Sequence, residues 1–78
     1  MIRILFFGAT ADAVETRHME IQILEPLTVR ELISRLKVEH PKLQSSTLKF
    51  AVNQEYAFGH EELHDSDELA IFTAVSGG

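Results

Sequence analysis

Apolar and polar positions alternate over the first residues of the chain, with Ile2, Ile4 and Phe6 on one side of an extended backbone and Arg3, Leu5 and Phe7 on the other. The β-branched and aromatic content predicts a strand, and apolar groups on both faces predict a central one. Gly8 to Arg17 reads as a turn or short irregular loop. The alternation resumes from His18 to Leu24, where Met19, Ile21 and Ile23 oppose Glu20 and Gln22, as in an antiparallel hairpin partner. The period then changes. Thr28 stands three residues before Glu31, a capping box, with Leu27 and Leu32 in the staple positions around it. Val29, Leu32, Ile33 and Leu36 follow one face of the helix that begins there, while Arg30, Glu31, Arg35 and Lys37 face water, and Pro41 ends it.

Past the proline the period returns to two. Leu48, Phe50 and Val52 alternate with Lys49 and Ala51 as a third strand, Asn53-Gln54 is a tight turn, and Tyr56 to Phe58 forms a short fourth strand. Asp65-Ser66-Asp67 is a further turn, and Leu69 to Val75 closes the series as a strand free of proline. This order predicts an α+β fold, a mixed sheet of four to five strands with one main helix packed on one face and the first and last strands as central neighbours. That is the ubiquitin-like β-grasp arrangement, here a single domain over residues 1–78 with a flexible tail at 75–78.

Composition narrows the chemistry. At 78 residues the chain is one domain, and its 45% hydrophobic and 24% charged residues are ordinary for a globular fold. With no cysteine, a disulfide, a thiolate zinc site and a cysteine nucleophile are excluded, and any sulfur chemistry must use borrowed sulfur. Net charge is -5 with the cations scattered, which disfavours nucleic acid and anionic membranes and favours a partner with a basic surface. The N-terminus reads as neither signal peptide nor membrane span, so a cytoplasmic location is expected.

The ending, Gly77-Gly78 straight after a strand, is the most suggestive chemical feature. Two glycines make a narrow thread that a partner can enclose closely, and the terminal carboxylate, ionised at neutral pH, becomes the candidate reactive group. Val75, Ser76 and Gly77 would thread it; Ser76 is read as a small polar thread residue, since no Ser-His-Asp set is identifiable. His60-Glu61-Glu62-Leu63-His64 fits the His-Glu-x-x-His zinc pattern, which works only on a helix. Gly59 before it and the turn after it favour a solvated loop, so no metal site is expected, and His18 and His40 read as surface residues. Asp12, Glu15, Glu61 and Glu62 read as solvated, and ATP has no glycine-rich phosphate loop here to bind. Leu5, Phe7 and Phe72 are either core or an apolar patch on the sheet face opposite the helix, where such patches mark partner sites.

Several segments together resemble the sulfur carriers of molybdopterin and thiamine biosynthesis. They are residues 4–8, 27–32 and 51–55, then Leu63 to Ala70, and Val75-Ser76-Gly77-Gly78. The paired Phe6-Phe7, the loop after it and the chain length resemble the small-subunit branch of molybdopterin synthase more than the thiamine carriers. Thr73-Ala74 stands where that branch usually has two prolines, and Asp65-Ser66-Asp67 where it has Asp-Gly-Asp. The resemblance implies a carrier with no catalytic residue and no bound cofactor of its own. A ubiquitin-activating-type adenylyltransferase would spend ATP to adenylate Gly78, and a sulfur donor protein would convert it to a thiocarboxylate. The large synthase subunit, contacted through Phe7, Phe72, Tyr56 and Leu5, would then use the sulfur to build the dithiolene. Alternatives are a thiamine-type carrier for thiazole formation and a ubiquitin-like modifier or interaction module.

Overall fold

A computed structural model describes residues 1–45 and 47–73. The tail expectations for Val75, Ser76, Gly77 and Gly78, and Ala74 before them, lie outside the described residues.

The predicted alternations become strands. β1 (Ile2–Phe6) pairs antiparallel with β2 (His18–Ile21), as the hairpin reading expects, though β2 is shorter than the alternation to Leu24 suggested. β4 (Leu48–Val52) and β5 (Glu55–Ala57) are joined by Asn53-Gln54, whose φ values of 50° and 72° are those of a tight hairpin turn. β7 (Glu68–Thr73) pairs parallel with β1 and antiparallel with β4, giving a five-stranded mixed sheet in the order β2-β1-β7-β4-β5. With the first and last strands side by side at its centre and a helix across one face, this is the β-grasp.

The main helix, α2 (Val29–Glu39), starts where the capping box places it. The Thr28 hydroxyl accepts from Glu31 N–H at 3.1 Å, and the Glu31 carboxylate accepts from Thr28 N–H at 2.8 Å. A box of this kind contributes about 1 kcal/mol. Val29, Leu32, Ile33 and Leu36 turn inward and meet Ile2, Ile4 and Phe6 from β1 and Leu69 and Ile71 from β7. Alternation on the strands and the 3.6 period on the helix thus define one core.

Four further features depart from the sequence reading. Gly8 to Arg17 is no irregular loop: α1 (Ala9–Val14) forms there, packed beside β7 and adding Val14 to the core. Six residues are too few for a helix to stand alone, so tertiary packing imposes it. Pro41 ends α2 but opens a 3-10 turn, Pro41–Ser45, that buries Leu43. A second, two-stranded sheet joins β3 (Leu27–Thr28) to β6 (Glu62–Leu63). The fourth strand ends at Ala57, one residue before the predicted Phe58.

β6 corrects the solvated-loop reading of His60 to His64. Leu63 is fully buried, and the Glu61 carboxylate accepts from the N–H groups of Phe58, at 2.8 and 3.0 Å, and Gly59, at 2.8 Å. Glu61 therefore holds the loop closed. Gly59 carries a φ of 121°, a backbone conformation that side-chain-bearing residues rarely adopt, and that angle rather than crowding favours glycine there, since the Arg30 guanidinium lies at an ordinary contact distance of 3.4 Å from where a Cβ would stand.

Candidate functional site

Strand register sorts the uncovered sheet face into three rows. At the start of β1 and β7 the row is charged: Glu20 opposes Arg3, which lies beside Glu68. The middle row crosses all five strands as His18, Leu5, Ala70, Ala51 and Tyr56. At the end of β7 the row is aromatic. Phe72 opposes Lys49, and Phe7 follows the Phe6–Ile71 pair, its N–H donating to the Ile71 carbonyl at 3.0 Å. Charge and apolar surface are thereby segregated to opposite ends, with the apolar end where β7 leads out of the sheet.

The open choice between core and patch is resolved by position. Leu5, Phe7 and Phe72 lie on the face away from α2, because each is out of phase with Ile2, Ile4, Phe6, Leu69 and Ile71. Phe7 is 51% and Tyr56 76% exposed, while Leu5 and Phe72 are half-buried by their neighbours. The Tyr56 and Phe72 rings meet at a centroid distance of 6.1 Å and 57°, a tilted aromatic pair that bridges β5 and β7 over the small Ala51. Phe58, 77% exposed and stacked on His60 at 6.2 Å, extends the aromatic surface and was not singled out by sequence. Its signal was parity: it shares the phase of Tyr56.

Thr10 sets the position of Phe7. It is 1% exposed, and its hydroxyl accepts from Phe7 N–H at 3.0 Å while lying 2.7 Å from the Phe7 carbonyl and 3.0 Å from the Ile71 carbonyl. One side chain therefore ties α1, the end of β1 and the centre of β7. Nothing in the sequence marked it, because a threonine in a six-residue segment carries no periodic signal. Replacing it by the isosteric valine removes bonds from a dry site, and Thr10→Val is expected to lower unfolding free energy by about 1–3 kcal/mol in urea melts.

The opposite end of the sheet is fastened by carboxylates. Asp67 accepts from His64 N–H at 2.7 Å and from the Asn53 amide at 2.9 Å; Asp65 pairs with the α-amino group of Met1. Burial pushes the Asp67 carboxyl up, but its bonds to Asn53 and His64 outweigh that and hold it below the usual range. Desolvation likewise pushes the Glu61 carboxyl up, and the Phe58 and Gly59 N–H groups overcome it and hold the carboxyl below the usual range. The Thr28 N–H and hydroxyl lower Glu31, and the N-terminal amine lowers Asp65. Each group is harder to protonate folded than unfolded, so its stabilisation is present above the ordinary values of 3.8 and 4.5 and is lost as pH falls through the lower folded ones. The urea midpoint should stay level from pH 7 to about pH 5 and fall steeply towards pH 3; a midpoint unchanged at pH 3 would contradict these contacts.

No helix carries the His60-Glu61-Glu62-Leu63-His64 pattern. Its centre is β6, and the exposed His64 ring faces Glu62 at 3.2 Å and Asp67 at 3.8 Å. The one-face geometry that the zinc motif needs is absent from this segment. Among the described residues no group of three or more His, Asp or Glu is placed to hold a metal ion, and no helix is long and apolar enough to cross a membrane.

The chain matches the ThiS family model over residues 4–78. It is 31% identical over 81 residues to the molybdopterin synthase sulfur carrier subunit of Chlamydomonas reinhardtii, covering 99% of this chain and 98% of that one. Among solved structures, a Pyrococcus furiosus protein described as a molybdopterin converting factor, subunit 1, superposes with a TM-score of 0.85 at 26% identity, over 95% of this chain and 97% of the other. SAMP1 of Haloferax volcanii superposes with a TM-score of 0.81, also at 26% identity, over 99% and 98% of the two chains.

Proposed function

This chain belongs to the ThiS family, and from that premise we propose that it is the sulfur carrier subunit of a molybdopterin synthase. The observation that carries the reading is spatial. The aromatic row of Phe7 and Phe72, with Tyr56 of the adjoining row packed against Phe72, lies at the end of β7 from which the sequence continues to Gly77-Gly78, so a partner seated on that face meets the strand end that leads to the reactive carboxylate.

In this reading the Gly78 carboxylate attacks the α-phosphate of ATP on a ubiquitin-activating-type adenylyltransferase, and pyrophosphate leaves. Carboxylate oxygen is a poor leaving group and AMP a good one, so the acyl adenylate opens the carbonyl to the terminal sulfur of a donor protein's persulfide; AMP leaves, and a thiol then reduces the S–S bond of the resulting acyl disulfide, becoming a disulfide itself and freeing the thiocarboxylate. The tail then enters the large synthase subunit, where the thiocarboxylate sulfur passes to the cyclic pyranopterin precursor. ATP binds the activating partner, and the catalytic side chains belong to the two partners. The chain's own contribution is position: a rigid sheet presents the docking face, and the glycines let the partner close around the thread.

Incubation with the activating partner, ATP and a sulfur donor tests the proposal. The C-terminal peptide should gain the mass of sulfur exchanged for oxygen, and the loaded chain should support dithiolene formation by the large subunit. An unloaded peptide under conditions that charge a known carrier would refute it. The likeness to SAMP1, a small archaeal modifier protein, favours a second reading as a modifier joined through Gly78 to lysines of other proteins. Lysines of the producing cell's proteins that carry this chain's C-terminal peptide in isopeptide linkage through Gly78 would distinguish that reading.

A further inference from the structure

We propose that Lys49 selects the partner of the apolar face, and fixes its orientation, by pairing with a carboxylate that the partner presents among otherwise apolar groups. This deepens the reading of that face as the docking surface for the large synthase subunit and rests on it.

Lys49 is the cross-strand neighbour of Phe72 on the uncovered face of β4. The Phe50–Ala57 register, continued by one residue, brings Phe58 alongside it, and the same hollow is lined by Tyr56 and Thr73. A partner that covers the rings of Phe72 and Tyr56 therefore also covers the Lys49 stem. Within the chain the ammonium makes no hydrogen bond or ion pair with any described residue. The acids of this face, Glu20 and Glu68, occupy the far row; Glu68 is four residues from Phe72 along β7, about 13 Å. A docked partner thus dehydrates a cation that has no counter-charge among the described residues, which is unfavourable unless the partner supplies one.

The sign of the charge makes this a selecting device. The chain carries a net charge of -5, so long-range attraction draws a basic surface towards it. A basic surface that brings a cation, or only apolar groups, over Lys49 is penalised at contact. One that brings an acidic group there is favoured, and only in the orientation that aligns it.

The test is titration of the purified large synthase subunit against Lys49→Met, Lys49→Arg and Phe72→Ala, each compared with wild type at low and high salt and corrected to folded protein. Net charge and local contact predict opposite signs for Lys49→Met: the variant is more negative and would bind a basic partner more tightly, whereas a lost ion pair weakens it. Weakening of about tenfold is expected, with a shallower salt dependence and with Lys49→Arg staying near wild type. Loss below fivefold in Lys49→Met, an equal loss in Lys49→Arg, or an unchanged salt dependence would overturn the pairing. Unchanged affinity in Phe72→Ala would overturn the docking reading itself; weakening there with none in Lys49→Met removes only the carboxylate.

Discussion

Deleting Gly78 is expected to abolish partner-dependent ATP–pyrophosphate exchange and sulfur loading while leaving the urea midpoint unchanged. Removing one residue withdraws the carboxylate by about 3.5 Å. A nucleophile misplaced by as little as about 1 Å can lose a hundredfold in rate, so the loss should exceed two orders of magnitude. Adding one residue after Gly78 should act as severely, because the carboxylate then overshoots the phosphate. Thr73 ends the last described strand, and among the described residues every buried apolar side chain lies at or before Ile71, so neither change touches that core. Pyrophosphate exchange that persists without Gly78 would end the carrier mechanism, whatever the family.

Adjacent residues of β7 should respond in opposite ways to truncation. Ile71 is fully buried, and Ile71→Ala is expected to cost about 2–5 kcal/mol of folding stability with little change in partner affinity per folded molecule. Phe72 points to the other face, and Phe72→Ala is expected to weaken large-subunit binding by about 2 kcal/mol, roughly thirtyfold, with a smaller effect on stability. Phe7→Ala should follow Phe72. Urea melts beside binding titrations read both axes. If Phe72→Ala loses stability as Ile71→Ala does and binds as wild type, the aromatic row is merely packing.

The parts of the fold written in periodic patterns were legible before the structure. Thr28 and Glu31 announce α2 because capping is a local bond between near neighbours, and the parity of Ile4 against Leu5, or Ile71 against Phe72, assigns faces because strand geometry has a period of two. What was missed depends on contacts between residues distant in sequence. Ala9–Val14 is helical because β7 and the Thr10 hydroxyl hold it, and Thr10 reaches Ile71, 61 positions away. Glu62–Leu63 extends because Leu27–Thr28 lies beside it. Glu61, read as solvated, instead binds backbone N–H groups two and three residues back, a loop geometry with no periodicity to betray it. The candidate site divides likewise. Leu5, Phe7, Phe72 and Tyr56 could be placed from alternation and resemblance, whereas the significance of Lys49 needed the register that sets it opposite Phe72.

The parallel pairing of β1 with β7 has a consequence in time. β7 is the central strand of the sheet and also the last described strand that a ribosome makes, so β2-β1 and β4-β5 have no common partner until residues 68–73 appear. Ordering Ile4 against Leu69 closes a loop over most of the chain, an entropic cost that no local turn offsets beforehand and a feature of slow-folding topologies. Folding must therefore wait until residues 68–73 have been made. The same late step that finishes the core also assembles the aromatic row, since Phe72 arrives with β7. A nascent chain lacking that strand has neither the assembled sheet nor the aromatic face, so on the proposed reading a partner that recognises this face meets only chains in which β7 is in place.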